Sequence, residues 1–170
     1  EAFVATRVTN QDENNEKVVA DPNVDTALIQ LAVAYDRTED SVKALEHLET
    51  LTRVYPKPTP HLPLALAELG RLAFQKENLP LARRALERFL SEDKQNKDPF
   101  KDGAPPQRSR ANYFLGWVNA TEEKFESAAI HFGLVAKHHQ HELAADAALQ
   151  QGIAYVKMKK FEEAAKVFPQ

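Results

Sequence analysis

The sequence of 170 residues contains no cysteine, and this absence removes several kinds of chemistry. Disulfide bonds, thiolate nucleophiles and cysteine-ligated metal sites all require cysteine. Glycine is also scarce, with five residues in the chain, and no glycine-rich loop that could hold a phosphate is present. The catalytic motifs G-x-S-x-G and H-E-x-x-H are missing as well. These absences predict a protein that is not an enzyme and that uses no cofactor.

Long apolar runs and an excess of one charge are also lacking. No apolar stretch approaches the roughly 18 to 20 residues that a membrane span needs. The chain has 22 basic and 25 acidic residues spread along its length, for a net charge of −3. A protein that binds nucleic acid usually carries a concentrated basic patch. We therefore expect protein partners, no nucleic acid and no direct insertion into a membrane.

What the sequence does contain is a recurring pair of helical segments. An alanine is followed four positions later by a large apolar residue at Ala44/Leu48, Ala82/Leu86, Ala128/Phe132 and Ala164/Phe168. Each alanine comes 12 positions after a small residue of a preceding apolar segment, at Ala32, Gly70, Gly116 and Gly152. A two-helix unit that recurs in this way predicts an all-α solenoid of helical repeats.

The spacing of these units predicts the organisation of the chain. We expect an irregular leader over residues 1–24 and helix pairs over about 25–58, 63–92, 109–140 and 145–170, with Asp25 as the N-cap of the first helix. Ala82 and Ala128 lie 46 residues apart, and the excess over the other intervals falls in residues 91–108, where proline and glycine predict an inserted loop. The chain stops inside the last predicted helix, so we expect more protein or a partner to cover it.

The pattern resembles the tetratricopeptide repeat, a helix-turn-helix unit of about 34 residues. Its L-G step is matched by Leu69-Gly70 and Leu115-Gly116. Tyr35 and Tyr155 match its tyrosine, and Phe132 and Phe168 match its aromatic residue. Pro56 matches its closing proline. The sequence departs from the pattern at Ala73, Asn119, Lys94 and Gln140. The resemblance covers about residues 25–168 and implies a right-handed solenoid of about four repeats.

Two groups of segments are similar to more specific families. Three segments are similar to the periplasmic Tol-Pal-associated cell-division coordinator family. They are Tyr113-Phe-Leu-Gly116, Ala128-Ala129 with Phe132, Val135 and Lys137, and Ala144-Ala145-Asp146-Ala147. Residues 44–56 and 78–89 resemble the first repeats of the outer-membrane barrel-assembly lipoprotein, whose lipidated N-terminal cysteine is absent here. These resemblances imply a protein of the bacterial periplasm or cell envelope that organises other proteins. The alternative is a cytoplasmic location.

A histidine-rich segment invites a metal interpretation. It consists of His138, His139 and His141, and His131 lies seven residues before His138. A built metal site needs ligands fixed from several elements and held by further hydrogen bonds. This segment falls where the third repeat turns into the fourth, a place where polar residues solvate a loop. We predict no metal site.

The phase of the repeats predicts which residues of each first helix face the concave side of the solenoid. These partner-binding candidates are Ile29, Val33, Ala67, Arg71, Phe74, Tyr113, Trp117, Thr121, Leu149 and Ile153. Aromatic residues and arginine dominate protein interfaces. We predict that Tyr113, Trp117 and Phe74 anchor an apolar partner segment. We further predict that Arg71 orients a carboxylate or carbonyl of that segment. The alternative is that these side chains form the core between repeats or are covered by residues 1–22.

The predicted function is a non-catalytic scaffold that binds a partner segment in a concave apolar groove. The alternative is a structural or accessory subunit of a large assembly, in which neighbours hold the 91–108 loop and the last helix. A third possibility is a repeat domain joined to a catalytic module outside these residues.

Overall fold

The computed structural model describes residues 22–38, 40–54, 62–92, 107–137 and 141–167. Within these ranges the chain is all-α, as the periodicity predicts. The helices are α1 (Pro22–Arg37), α2 (Ser41–Val54), α3 (Leu62–Gln75), α4 (Leu79–Glu92), α5 (Gln107–Thr121), α6 (Phe125–Ala136), α7 (Ala144–Lys157) and α8 (Phe161–Val167). None of these helices combines the length and the apolar character that crossing a bilayer would require.

The first helix starts earlier than the sequence predicts. It begins at Pro22, which places Asp25 inside the first turn, so the prediction of Asp25 as the N-cap is wrong. Proline is well suited to the first helical position because its missing N–H would have no partner there. Most of the predicted leader, most of the predicted 91–108 loop and Pro56 lie outside the described residues.

The turns inside the helix pairs repeat one geometry. We call positions equivalent when they lie at the same distance from Ala44, Ala82, Ala128 or Ala164. Three equivalent residues have positive φ angles of 59°, 59° and 61°, namely Glu77, Glu123 and Lys159. The next residue donates its N–H to the carbonyl five positions back, at 2.9, 2.8 and 2.9 Å. This is the hydrogen bond that closes a helix ending in a left-handed residue, so the same stop signal separates the helices of the last three pairs.

Small residues bring the paired helices close together. A Cβ atom added to Gly70 would lie 2.4 Å from Leu86, and one added to Gly116 would lie 2.6 Å from the ring of Phe132. Real Cβ atoms do not approach other carbons this closely. The glycines of α3 and α5 therefore make room for the large residue of the helix that follows, as the 12-residue offset predicts.

The apolar core is divided into two clusters that meet at α5. Each helix packs against the next one along the chain, and α3 also packs directly against α5. The first cluster runs from Ile29 to Val118, and the second runs from Ala128 to Ala154. Leu115 of α5 belongs to the first cluster, whereas Trp117 packs against the second. Helix α5 therefore joins the two halves of the stack.

Candidate functional site

The structure distributes the ten partner-binding candidates over two clefts and the packing around them. The N-terminal cleft lies between α1 and α3, has a volume of about 20 Å³ and is lined by three candidates, Ile29, Val33 and Arg71. The Trp117 cleft lies among α5, α6 and α7, has a volume of about 260 Å³ and is lined by Trp117, Thr121 and Ile153. The candidates thus gather around two separate centres.

Arg71 dominates the N-terminal cleft through contacts within the chain. Its Nε donates to Glu68 at 2.8 Å, and its Nη2 donates to Asp36 of α1 at 2.8 Å. Its Nη1 donates to Gln75 at 2.9 Å. All three nitrogens of the guanidinium therefore have intramolecular partners, and the contact to Asp36 connects the first two repeats.

The electrostatics of Arg71 agree with this role. Burial by itself would lower its pKa, but the carboxylates of Glu68 and Asp36 outweigh burial and raise the pKa. A partner's carboxylate would have to compete with these two acceptors. The binding role of Arg71 stays a prediction, whereas its role as a link between α1 and α3 is a property of the fold.

The Trp117 cleft is built from aromatic rings that meet edge to face. The ring of Trp117 lies 5.7 Å from that of Phe132 and 6.4 Å from that of Tyr113. Thr121 donates its hydroxyl to the carbonyl of Trp117 at 3.0 Å. Ile153 of α7 faces this group and is 42% exposed. One wall of the cleft is therefore fixed by packing, and the opposite wall presents an aliphatic side chain to solvent.

Two polar residues complete this cleft and were not among the candidates. They are Gln150 and Lys157, both on α7. Lys157 is equivalent to Thr121, so the repeat spacing that selected Thr121 could have selected it too. The sequence gives no comparable indication for Gln150. Its place at the cleft depends on the rotation of α7, and its side chain donates a hydrogen bond to Asp146.

The remaining candidates are engaged in other ways. Tyr113 donates its hydroxyl to Asp146 of α7, and burial, followed by this carboxylate, raises its pKa. The ring of Phe74 packs against Phe114 with centroids 5.7 Å apart. Ala67 is buried, and Leu149 is 46% exposed but lies in a different groove, between α6 and α8.

The histidines that suggested a metal site have partners within the protein. His131 forms a hydrogen bond of 3.0 Å with Asn112, and His141 accepts the backbone N–H of Leu143 at 3.2 Å. His138 and His139 lie outside the described residues. In the part of the chain that the structure describes, no three histidine or carboxylate side chains come together as a metal site would require.

Comparison with solved structures identifies similar folds. The crystal structure of a MamA protein is 21% identical and has a TM-score of 0.67, with 88% of this chain and 72% of that chain covered. MamA from Desulfovibrio magneticus RS-1, residues 41 to the end, is 19% identical with a TM-score of 0.64, covering 87% and 72%. BtubC (BKLC) from P. vanneervenii is 15% identical with a TM-score of 0.68, covering 98% and 68%. Identities this low establish the fold alone.

Sequence comparison gives the family directly. No curated protein sequence matches this chain. The family model described as tetratricopeptide repeat matches residues 29–99 and 67–138, which together make up more than half of the chain. Both matches fall on the helix pairs whose turns and small residues repeat in the structure. The chain belongs to the tetratricopeptide repeat family.

Proposed function

We propose that this protein is a scaffold that binds a segment of a partner protein in the Trp117 cleft. Tetratricopeptide repeats are in general a non-catalytic fold for protein–protein interaction, and the proposal assigns that activity to one place on this chain. The observation that carries it is the position of the only tryptophan, half-buried against Phe132 and facing the exposed Ile153.

The shape of the cleft favours the insertion of one apolar side chain. Trp117 is held from behind by Phe132 and Tyr113, so little conformational entropy is lost when a partner contacts its open side. Rigid aromatic residues in such positions often supply much of the binding energy of an interface. Ile153 contributes further apolar area from the opposite wall.

Polar groups at the same cleft can orient the main chain of the partner. Gln150 has both an amide donor and an acceptor, and Lys157 adds a positive charge at the end of α7. An apolar pocket with a few polar groups around it is the usual composition of a recognition site. We expect the partner segment to place an apolar side chain against Trp117 and a carbonyl or carboxylate near Lys157.

The first test compares variants of the cleft with a variant of an exposed residue elsewhere. The chain is used as bait in extracts of its native source, and bound proteins are identified by mass spectrometry. Trp117→Ala and Ile153→Ala should each reduce the captured partner, Trp117→Ala by about 2 kcal/mol in a subsequent titration. Ile130→Ala is the matched control, because Ile130 is 61% exposed on α6 and lines neither cleft.

Circular dichroism shows whether a variant that fails to bind the partner has kept its fold. Trp117→Ala should keep the helix content of the wild type, since the tryptophan is not part of the fully buried core. A variant that loses its helices would place Trp117 in the core and would refute the cleft assignment. A partner retained by both cleft variants would support instead the role of a structural subunit in a larger assembly.

We also propose that the protein acts in the bacterial cell envelope. The support for this is the resemblance of residues 113–116 and 128–137 to the periplasmic cell-division coordinator family. Fractionation of the source cells with an antibody to this chain tests the location, and recovery with cytoplasmic markers would contradict it.

A further inference from the structure

The second helices of successive repeats are separated by grooves that can be compared position by position. The first groove lies between α2 and α4 with α3 as its floor, the second between α4 and α6 over α5, and the third between α6 and α8 over α7. Because the 12-residue offset is the same within each helix pair, each lining residue of one groove has an equivalent in the others. All three are distinct from the Trp117 cleft proposed above.

The first groove is filled by large side chains and bridged by arginines. Arg84 of α4 pairs with Glu49 of α2 at 3.3 Å, and Leu66 of α3 lines the floor. Arg88 donates to the carbonyl of Thr52 at 2.8 Å. The groove that remains around these groups has a volume of about 290 Å³. The two second helices are therefore connected by the protein's own side chains.

The second groove is occupied by a different pair at equivalent positions. Asn112 takes the place of Leu66, His131 takes the place of Ala85, and the two form a hydrogen bond of 3.0 Å. Asn112 is buried and also donates to the carbonyl of Arg108 at 3.0 Å. The hydrogen bond between His131 and Asn112 joins α6 to α5, the floor of this groove.

The third groove has small residues at positions where the first groove has larger ones. Gly133, Ala136 and Ala148 stand at the positions of Glu49, Thr52 and Leu66. The volume of the groove is about 670 Å³, against about 290 Å³ for the first groove. Leu149 projects at its edge and is 46% exposed. The small residues Ala136 and Ala148 leave this groove wide, while the side-chain amide of Gln151 lies against Gly133.

The described residues that line the third groove carry positive charge only. Lys166 is equivalent to Arg84, but its counterpart Glu49 is replaced by Gly133. Lys137 adds a second positive charge at the groove. Neither lysine forms an ion pair with another described residue, and the described residues that line the groove include no aspartate or glutamate. The first groove satisfies its arginine internally, whereas the third leaves its lysines open to a carboxylate from outside.

We propose that the third groove is a second interaction surface, which binds a segment of another protein that carries glutamate or aspartate beside a bulky aliphatic side chain. The carboxylate takes the role that Glu49 has in the first groove and contacts Lys166. The aliphatic side chain fills the space above Ala148 that Leu66 occupies in the first groove. Small residues on the floor allow the backbone of a partner helix to approach closely, as in other helix-in-groove interactions.

The test uses fluorescence polarisation with two labelled helix-forming peptides of about 15 residues. One has leucine on one face flanked by glutamate, and the other has the same leucines flanked by lysine. The glutamate peptide should bind the wild-type chain and the lysine peptide should not, because the groove is positive. Lys166→Glu should weaken binding of the glutamate peptide by about tenfold or more, and should favour the lysine peptide in its place.

Two further variants separate this surface from the Trp117 cleft. Ala148→Leu restores the residue of the first groove and should reduce binding of the glutamate peptide by filling the site. Lys157→Glu probes the Trp117 cleft. The matched control is Lys76→Glu, a change of equal charge at an exposed residue that lines neither site, which should leave the affinity within about twofold. Lys166 is exposed, so Lys166→Glu keeps the test valid even if Ala148→Leu disturbs packing.

Several outcomes would overturn the proposal. One is equal binding of both peptides or no measurable binding of the glutamate peptide. Another is binding that Lys157→Glu abolishes and Lys166→Glu spares, which would assign the peptide to the Trp117 cleft. A wild-type dimer that becomes monomeric with Lys166→Glu in sedimentation equilibrium would identify the occupant as a second copy of this chain. Failure of the third-groove test leaves the Trp117 proposal intact, because the two use different residues.

Discussion

Arg71 and Trp117 occupy equivalent positions in consecutive repeats, yet they hold their surroundings together by different means. Arg71 directs its guanidinium to Asp36, Glu68 and Gln75 and connects α1 with α3 by hydrogen bonds. Trp117 lies against Phe132 and Tyr113 and contributes apolar packing to the second cluster. The same site in the repeat is thus a polar link in the N-terminal half and an aromatic wall in the C-terminal half.

The difference concerns how much each side chain could gain from a further contact with a partner. A guanidinium that already has three acceptors gains little from a new one, since exchange of equivalent hydrogen bonds is nearly neutral. An indole ring packed on one face still has apolar area on the other, and covering that area with a partner is favourable. The N-terminal half is therefore linked by polar contacts, and the proposed binding role of the Trp117 cleft rests on the apolar area that remains uncovered in the C-terminal half.

The largest effect is expected from removing the large residue of the second helix in each half. Leu86→Ala should cost about 3 kcal/mol of unfolding free energy and Phe132→Ala about 4 kcal/mol, because both are fully buried and leave cavities. Urea unfolding followed by circular dichroism measures both. Phe132→Ala should also shift the Trp117 emission to longer wavelength in the folded state, whereas Leu86→Ala should not. A shift in both variants would contradict the division of the core into two clusters.

A smaller effect on stability is expected from removing the polar contacts of Arg71. Arg71→Met should lower the unfolding free energy by about 1 to 2 kcal/mol, since it removes partly buried ion pairs while keeping much of the side-chain volume. The loss should shrink as salt is added, because screening weakens the wild-type contacts. Arg84→Met is the control, as the Arg84 side chain is 70% exposed and its pair should contribute less than about 1 kcal/mol. Equal losses in the two variants would argue against a special role for Arg71.

The smallest effect concerns pH at the junction of the two halves, where His131 lies. Burial lowers the pKa of His131 from its ordinary value of 6.5, Glu87 partly opposes the shift, and Arg83 adds to it. The unfolded chain therefore takes up a proton at this residue before the folded chain does. Stability should fall as pH drops below about 6.5 and should level off below the folded pKa.

His131→Gln tests this dependence, because glutamine does not titrate and can still form a hydrogen bond with Asn112. Thermal unfolding across this pH range should show a shallower slope for the variant than for the wild type. An identical slope in both would assign the pH dependence to other groups.

The repeat architecture could be predicted from the sequence because its signals are local. The 12-residue offset reflects the close approach of Gly70 to Leu86 and of Gly116 to Phe132, and both contacts are present. The start of α1 was mispredicted because Asp25 suits an N-cap and Pro22 suits a first turn, and the helix uses the proline.

The site was less accessible to prediction. Ile29, Val33 and Arg71 are brought together at one cleft, and Trp117, Thr121 and Ile153 at another. Repeat phase alone does not reveal that Arg71 has Asp36 as a partner, because a hydrogen bond between helices depends on rotamers and on the rotation of each helix. Gln150 was missed for the same reason.

The sequence by itself determined the four helix pairs of the described residues, the glycines of α3 and α5 that let paired helices approach, and the family to which they belong, since each of these follows from spacing along the chain. Only the tertiary structure decided which of the equivalent charged residues have a partner of opposite charge on the facing helix. Arg84 meets Glu49, whereas Lys166 lies across from Gly133. Burial and charge pairing at one residue depend on what the facing helix supplies, and that is settled when the repeats stack.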